Sequence, residues 1–223
     1  MNLSGGTLNA GFTSVTSTGG SSNIALVQVA GTSNFGLGAL SGAAGTSWLM
    51  GSAAAASGGT VTIIYAGSMT QSSSGQAPIV MQNRTGGSIT LSGTITATAA
   101  GVRGISLLNN TGATTAFTGA MALSTTTNPA FTATGGGTVA ASGAVTRTLA
   151  TTTGIALNVV NTPIGAAGLT FTSVSSNGAS SGIVLNNTGV AAGLSVTGAA
   201  PTPNSGGSIL NSTGAGISLT TTY

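Results

Sequence analysis

The chain repeats one short pattern along most of its length, and this repetition restricts the possible folds more than any other feature. Each unit contains a short apolar strand, a corner of Asn, Thr and Gly, and a second short strand. Residues 182–196 (GIVLNNTGVAAGLSV) show the pattern most clearly. The predicted second strands begin their inward rows at Val61, Ile89, Thr115, Val139, Leu169, Leu194 and Ile217. The repeat is therefore irregular, with a period near 26 residues.

A fixed period in this range is typical of solenoids, propellers and repeat arrays. Apolar and polar residues alternate within each unit, which indicates strands, and the units lack the helical period. Propeller blades need about 40 residues and four strands, so these units are too short. The sequence therefore predicts an all-β fold, a single-stranded right-handed parallel β-helix (β-solenoid) with about 26 residues and three short strands per coil. We expect one domain over residues 1–223 with about eight coils.

Residues 30–57 depart from the repeat. Trp48 and several smaller apolar residues lie there among Gly and Ala, followed by four consecutive alanines at 53–56. We predict a less regular coil or an insertion at this place, with either a bulged coil or a helix of one or two turns over residues 47–56. The run does not predict a membrane span, because Gly, Ser and Thr interrupt every window of the roughly 20 residues that a span needs.

The corners of the repeat are rich in asparagine. Asparagine tolerates the left-handed conformation and bonds to its own backbone, so it suits a corner. Equivalent residues of successive coils stack, and stacked Asn side chains bond to one another. We predict a structural Asn ladder formed by Asn83, Asn110, Asn187 and Asn211. Several Asn-X-Ser/Thr sequons coincide with these corners; the repeat alone accounts for them, and surface glycans stay an open question.

Charged residues are almost absent. The chain contains three arginines, Arg84, Arg103 and Arg147, and no Asp, Glu, Lys, His or Cys. General acid–base catalysis and metal binding need such side chains. We therefore predict that the protein is not an enzyme and has no catalytic, cofactor or metal site. The arginine spacings do not match the repeat, so we expect scattered solvated charges. Nucleic acid is excluded as a partner because its binders need clustered basic residues.

Several segments of the chain resemble a known group of proteins. LNNTG occurs at 108–112 and 185–189, GSITLSGTI at 87–95 and TATGGGTVAASG at 132–143. These segments resemble the β-strand-repeat proteins of bacteria, which are large secreted or surface proteins with right-handed parallel β-helix domains. The resemblance covers roughly residues 58–222 and is strongest over 154–196. It implies this fold and an extracellular or cell-surface location, and it implies no activity. Members of that family carry Asp at several turns, which this chain lacks.

The ends of the predicted solenoid suggest a function. Exposed strand edges invite pairing with another chain, and natural solenoids need polar caps to stay monomeric. We place the assembly edges at Ile24 and Leu26 on one end and at Ile217 and Leu219 on the other. The expected function is a structural subunit of an extracellular filament, with a second copy as the head-to-tail partner. The alternative is a stalk segment of a large bacterial surface adhesin, in which coils continue along the same chain.

A third interpretation is ice binding through rows of threonine on a flat face. The tripeptides that suggest it are Thr60-Val61-Thr62, Thr94-Ile95-Thr96 and Thr170-Phe171-Thr172. Because they do not fall on one predicted strand, this interpretation ranks below the other two.

Overall fold

The fold is a stack of short parallel strands. The computed structural model describes residues 1–222, and no helix occurs among them. The strands in chain order are β1 (Asn2–Ser4), β2 (Ala10–Gly11), β3 (Ser17–Thr18), β4 (Ile24–Val27), β5 (Thr32–Asn34), β6 (Ala39–Ser41), β7 (Trp48–Met50), β8 (Thr62–Tyr65), β9 (Ser68–Thr70), β10 (Ile79–Gln82), β11 (Ser88–Leu91), β12 (Ile95–Ala97), β13 (Ile105–Leu108), β14 (Thr114–Phe117), β15 (Met121–Ser124), β16 (Phe131–Thr134), β17 (Thr138–Ala141), β18 (Arg147–Ala150), β19 (Leu157–Val160), β20 (Ile164–Phe171), β21 (Ser173–Asn177), β22 (Ile183–Asn186), β23 (Leu194–Val196), β24 (Ile209–Leu210) and β25 (Ile217–Thr220).

The strands form three sheets, and every third strand belongs to the same sheet. The first sheet has nine strands, from β1 through β4 and so on to β25. The second sheet has eight strands, from β2 to β23, and the third has eight, from β3 to β24. Each coil therefore contributes one strand to each sheet and pairs in parallel with the coils before and after it. This confirms the predicted parallel β-solenoid with about 26 residues per coil.

The core consists of side-chain rows that run along the solenoid axis. One such row in the first sheet contains Ile24, Trp48, Ile79, Ile105, Phe131, Leu157, Ile183 and Ile217. All of these except Ile217 are buried. Phe131 packs edge-on between Phe117 and Phe171, with ring centroids 5.5 and 5.9 Å away. Fully burying such a side chain is worth about 1.5–3 kcal/mol, so these rows supply the main stabilisation.

Residues 30–57 are more regular than the sequence predicts. They contain β5, β6 and β7, all in register with the neighbouring coils. Of the two alternatives for residues 47–56, the helix does not form: Trp48 lies on β7 and is fully buried, and the alanines lie in a bend and turn. The Ser57 hydroxyl closes this turn by donating to the Ser52 carbonyl at 2.9 Å. A helical turn this short has an unfavourable nucleus, so strand pairing on both sides determines the local structure.

Four of the seven predicted second-strand anchors do not lie in one row with the others. Ile89 pairs with Ile63, so Val61 lies two residues before the anchor position of its coil. Ile217 belongs to the first sheet, where it pairs with Ile183. Leu169 pairs with Ala141 beyond a bulge, and Leu194 continues that row, so neither stacks on Val139. These errors arise because corners and bulges differ in length from one coil to the next, which a fixed period cannot follow.

Phe131→Ala tests the contribution of the core rows. The substitution removes a buried ring between two other rings, so we expect the free energy of unfolding to fall by about 3–5 kcal/mol. The matched control is Thr132→Ala, which changes the outward neighbour on the same strand and should alter stability by no more than about 0.5 kcal/mol. Urea unfolding followed by circular dichroism measures both. Equal effects of the two substitutions would contradict the assigned orientation of β16.

Candidate functional site

The corner that follows the first sheet has the same backbone conformation after all nine strands of that sheet. The residue that follows each first-sheet strand has a positive φ, between 48° and 80°. These residues are Gly5, Gln28, Gly51, Asn83, Asn109, Gly135, Asn161, Asn187 and Thr221. Residues with a Cβ are disfavoured in this left-handed region, and Gly and Asn tolerate it best. The Asn-rich corners of the repeat are therefore a backbone requirement.

The predicted ladder of four asparagines does not form. Asn83 and Asn187 lie at this corner, as expected. Asn110 lies one residue beyond it and is buried, with its Nδ2 donating to the Met81 carbonyl at 2.9 Å. Asn211 follows β24 and so lies at the corner after the third sheet. One residue of shift in a four-residue strand is enough to move an asparagine from the corner into the core.

Amide contacts along the axis do occur between other pairs. Asn187 donates from Nδ2 to Asn161 Oδ1 at 3.0 Å at the first corner. Asn211 donates to Asn177 Oδ1 at 2.7 Å at the third-sheet corner. Asn109 continues the first corner, and the next coil has Gly135, where a Cβ would collide with Asn109 Oδ1. The ladder is therefore shorter than predicted and shared between two corners.

The three arginines differ from the expected scattered solvated charges. Arg103 is exposed, whereas Arg84 and Arg147 are fully buried. Arg147 takes an inward position next to Met121 in the third sheet. The sequence offered no signal for this burial, because a corner residue after Asn83 and a strand residue between two threonines both favour exposure. The expectation is wrong for these two residues.

Backbone carbonyls surround both buried guanidinium groups. Arg84 Nη2 donates to the carbonyls of Val61 and Gly86 at 2.7 and 2.9 Å. Arg147 donates from Nη1 to the Gly143 carbonyl at 3.2 Å and from Nη2 to the Phe117 carbonyl at 3.3 Å.

Burial lowers the pKa of Arg84 to about 10 and also lowers the pKa of Arg147. Arg84 still carries its charge at neutral pH. The Nη2 groups of both arginines donate to backbone carbonyls, whereas the Nε of each is buried without a partner among residues 1–222. Through these Nη2 bonds both arginines act as structural clamps.

Other reactive chemistry is scarce. The described residues contain no group of three or more His, Cys, Asp or Glu side chains that could hold a metal ion. Burial raises the pKa of Tyr65 to about 12, and its hydroxyl lies 3.2 Å from the Val15 carbonyl, to which it donates. The phenol is thus a structural donor at neutral pH. Among residues 1–222, no helix has the length and apolar character needed to cross a membrane.

The outer surface of the third sheet is the most regular surface of the molecule. We call it the hydroxyl face and define it by three outward rows. The central row contains Thr18, Ser41, Thr70, Thr96, Ala122, Thr148 and Ser173. The flanking rows contain Ala39, Ser68, Thr94, Ala120 and Thr146 on one side and Thr98, Ser124, Ala150, Ser175 and Ser208 on the other.

The threonine tripeptides seen in the sequence separate between two sheets. Thr94-Ile95-Thr96 contributes to the hydroxyl face through β12. The other two, at 60–62 and 170–172, run with the second-sheet strands β8 and β20. The tripeptide pattern in the sequence does not show which Ser and Thr residues share a row, because this depends on the register between coils.

The assembly edge predicted at Ile24 and Leu26 is wrong, because a further coil precedes these residues. Strand β1 pairs with β4, with Leu3 opposite Leu26, so Ile24 and Leu26 are fully buried. The first-coil end is instead formed by β1, β2 and β3. Phe12 is 38% exposed there and packs on Phe35 with ring centroids 5.8 Å apart. This coil was missed because its apolar residues are spaced among Gly, Ser and Thr.

The two residues predicted as the other assembly edge lie on β25. Ile217 and Leu219 on β25 are 54% and 59% exposed, whereas Ile183 and Leu185 directly beneath them are 5% and 3% exposed. Together with Leu194 and other residues they line an apolar cavity of about 270 Å³. The last coil thus leaves part of the core rows uncovered.

Comparison of the chain with protein-family models, with curated proteins and with solved structures finds no match in any of the three.

Substitution of Asn187 tests the corner conformation. Asn187→Ala places a Cβ without a compensating polar group at φ 52°, so we expect a loss of about 1–2 kcal/mol in the free energy of unfolding. Asn187→Gly should cost less than Asn187→Ala, since glycine adopts this conformation freely. The neighbouring exposed Asn186 serves as control, and Asn186→Ala should change stability by less than about 0.5 kcal/mol. Denaturant unfolding of the three variants decides; an equal cost for Asn187→Ala and Asn186→Ala contradicts the corner assignment.

Arg84 and Arg103 form a natural matched pair for the carbonyl clamp. Arg84→Ala leaves the Val61 and Gly86 carbonyls without their guanidinium donors, and an unsatisfied buried polar group costs about 1–3 kcal/mol. We therefore expect at least about 2 kcal/mol of destabilisation for Arg84→Ala. Arg103→Ala removes an exposed charge and should stay within about 0.5 kcal/mol of the wild type. Thermal and urea unfolding measure both variants; if Arg103→Ala is as damaging as Arg84→Ala, burial does not explain the effect.

Proposed function

We propose that the protein is a structural subunit of an extracellular filament, formed by end-to-end stacking of its coils on those of a second copy. The observation that carries this proposal is the match between the two ends. The core rows that are exposed at the last coil are the same rows that begin at the first coil. The last coil of one copy can therefore stack on the first coil of the next copy.

Two inward rows illustrate the match. One first-sheet row starts with Leu3 and ends with Leu219. One second-sheet row starts with Phe12 and ends with Leu194. Within these rows apolar residues stack on apolar residues. A contact between the two ends would continue both rows without a change in their chemistry.

Covering the ends removes two costs at once. Within residues 1–222, β1 pairs only with β4 and β25 only with β22, so each has one edge without a strand partner. Exposed edges of this kind favour pairing with another chain. Ile217 and Leu219 are also more than half exposed, and apolar area removed from water gains about 25 cal/mol per Å². Stacking therefore pairs the edges and buries these side chains together.

Electrostatics offers little resistance to such a contact. A high net charge normally keeps protein molecules apart, and this chain has a formal charge of only +3. Its arginines belong to the middle coils, at positions 84, 103 and 147, far along the chain from β1 and β25. Because the junction is heterologous, repeated stacking extends into an open filament unless the ring closes. The extracellular location rests on the resemblance of the repeat to secreted bacterial β-strand-repeat proteins.

Engineered cysteines test the end-to-end junction. Ser4 and Thr220 are outward residues at the two ends of one first-sheet row, and the chain has no native cysteine. If β25 of one copy pairs with β1 of the next, the Cα atoms lie about 4.7–4.9 Å apart, within the range of about 4.4–6.8 Å for a disulfide. We expect Ser4→Cys/Thr220→Cys to form a ladder of cross-linked oligomers on oxidation, seen on a non-reducing gel.

The control moves one cysteine to the middle of the same row. Ser4→Cys/Thr134→Cys places the second thiol on β16, whose two edges are already paired with β13 and β19. This variant should give no ladder under the same oxidation. A wild-type chain that stays monomeric at high concentration, together with no ladder from Ser4→Cys/Thr220→Cys, overturns the filament proposal. That result would favour the adhesin-stalk alternative, in which further coils of a longer chain cover the ends.

A further inference from the structure

We propose that the hydroxyl face of the third sheet binds ice, with the ordered water of the crystal surface as its ligand. This inference does not depend on the filament, because the face lies on the side of the solenoid and the junctions lie at its ends.

The composition of the hydroxyl face separates it from the other two faces. Every outward residue of β6, β9, β12, β15 and β18, and of β21 up to Ser175, is Ser, Thr or Ala. The outer face of the first sheet instead carries larger aliphatic side chains such as Leu49, Val80 and Val184. In the second sheet a bulge between Val139 and Ala141 shifts the register. Only the third sheet combines small hydroxyl and methyl groups with one continuous register from β3 to β21.

The spacing of these groups forms a two-dimensional lattice. Neighbouring residues in a row lie about 4.7–4.9 Å apart, and neighbouring rows lie two residues apart along the strands, about 6.6–6.8 Å. The spacing along a row is close to the oxygen repeat along the a axis of ice, and the spacing between rows is somewhat shorter than the repeat along the c axis. A rigid surface is needed to hold such a match, and the β-branched threonines have a restricted χ1 torsion. Beneath them lie fully packed inward residues such as Ile95 and Leu123.

The chemistry of the face suits a solid water surface better than a dissolved ligand. Charged groups organise liquid water around themselves, and no charged residue occurs among the outward residues of these strands. A row of hydroxyls with adjacent methyl groups can instead anchor water in regular positions. A crystalline polysaccharide is the other flat periodic solid, but sugar rings are usually held by aromatic side chains. None of the described aromatic residues lies on the third sheet.

The experiment compares two faces of the same coil. Thr96→Tyr puts a bulky ring in the centre of the hydroxyl face on β12, and Thr90→Tyr puts the same ring on the outer face of the second sheet on β11. Ala122→Tyr lies one coil further along the central row. It provides a second variant of the same face in case Thr96→Tyr does not fold. Circular dichroism and thermal unfolding first establish that each variant keeps the wild-type fold. Thermal hysteresis and inhibition of ice recrystallisation are then measured on the monomeric fraction from size exclusion.

We expect the wild type to shape ice crystals and to produce thermal hysteresis. Thr96→Tyr and Ala122→Tyr should lose most of this activity, and Thr90→Tyr should keep it. Absence of any ice activity in the wild type overturns the proposal, as does an equal loss in Thr96→Tyr and Thr90→Tyr. A sedimentation assay with crystalline cellulose runs in parallel. Binding to cellulose that Thr96→Tyr abolishes, without ice activity, would assign the face to a polysaccharide and contradict the inference.

Discussion

The structure depends on the in-register stacking of one coil on the next. Parallel pairing fixes each residue above its counterpart at a distance of about 4.7–4.9 Å, so every side chain must tolerate a neighbour of its own kind. Apolar rows, amide pairs and hydroxyl rows meet this condition. Rows of like charge do not, because their repulsion adds up along the axis. The three arginines of this chain agree with the constraint, since none of them stacks on another.

The corners between strands place the strictest requirements on backbone conformation. All nine first-sheet corners use a left-handed residue, and the close-packed backbone there leaves carbonyl groups in the interior. Arg84 reaches the Val61 and Gly86 carbonyls at this corner. Arg147 reaches the Phe117 and Gly143 carbonyls near the corner between the second and third sheets. The two buried charges thereby help to hold corners of unequal length. Solvation by backbone dipoles replaces the carboxylate partner that a buried arginine usually has.

The sequence predicts the architecture well and the register poorly. Alternating residues, the 26-residue period and the Asn corners depend on local preferences, so the parallel solenoid could be predicted. Register depends on the length of every corner, and a shift of one residue moves Asn110 into the core and leaves Asn109 at the corner. The burial of Arg147 and the alignment of Thr96 with Ala122 are consequences of register. For this reason the clamps and the hydroxyl face become visible only in three dimensions.

A disulfide register scan in the middle of the solenoid tests the stacking directly. Ser106 and Thr132 are paired outward residues of β13 and β16, so Ser106→Cys/Thr132→Cys brings the Cα atoms to about 4.7–4.9 Å, suitable for a disulfide. Ser106→Cys/Thr134→Cys shifts one thiol by two residues and separates the Cα atoms by about 8 Å, too far for a bridge. Mass spectrometry of the oxidised monomers should find the intramolecular disulfide in the first variant and free thiols in the second. A disulfide in the second variant alone would contradict the stacking register on which every surface and corner described above depends.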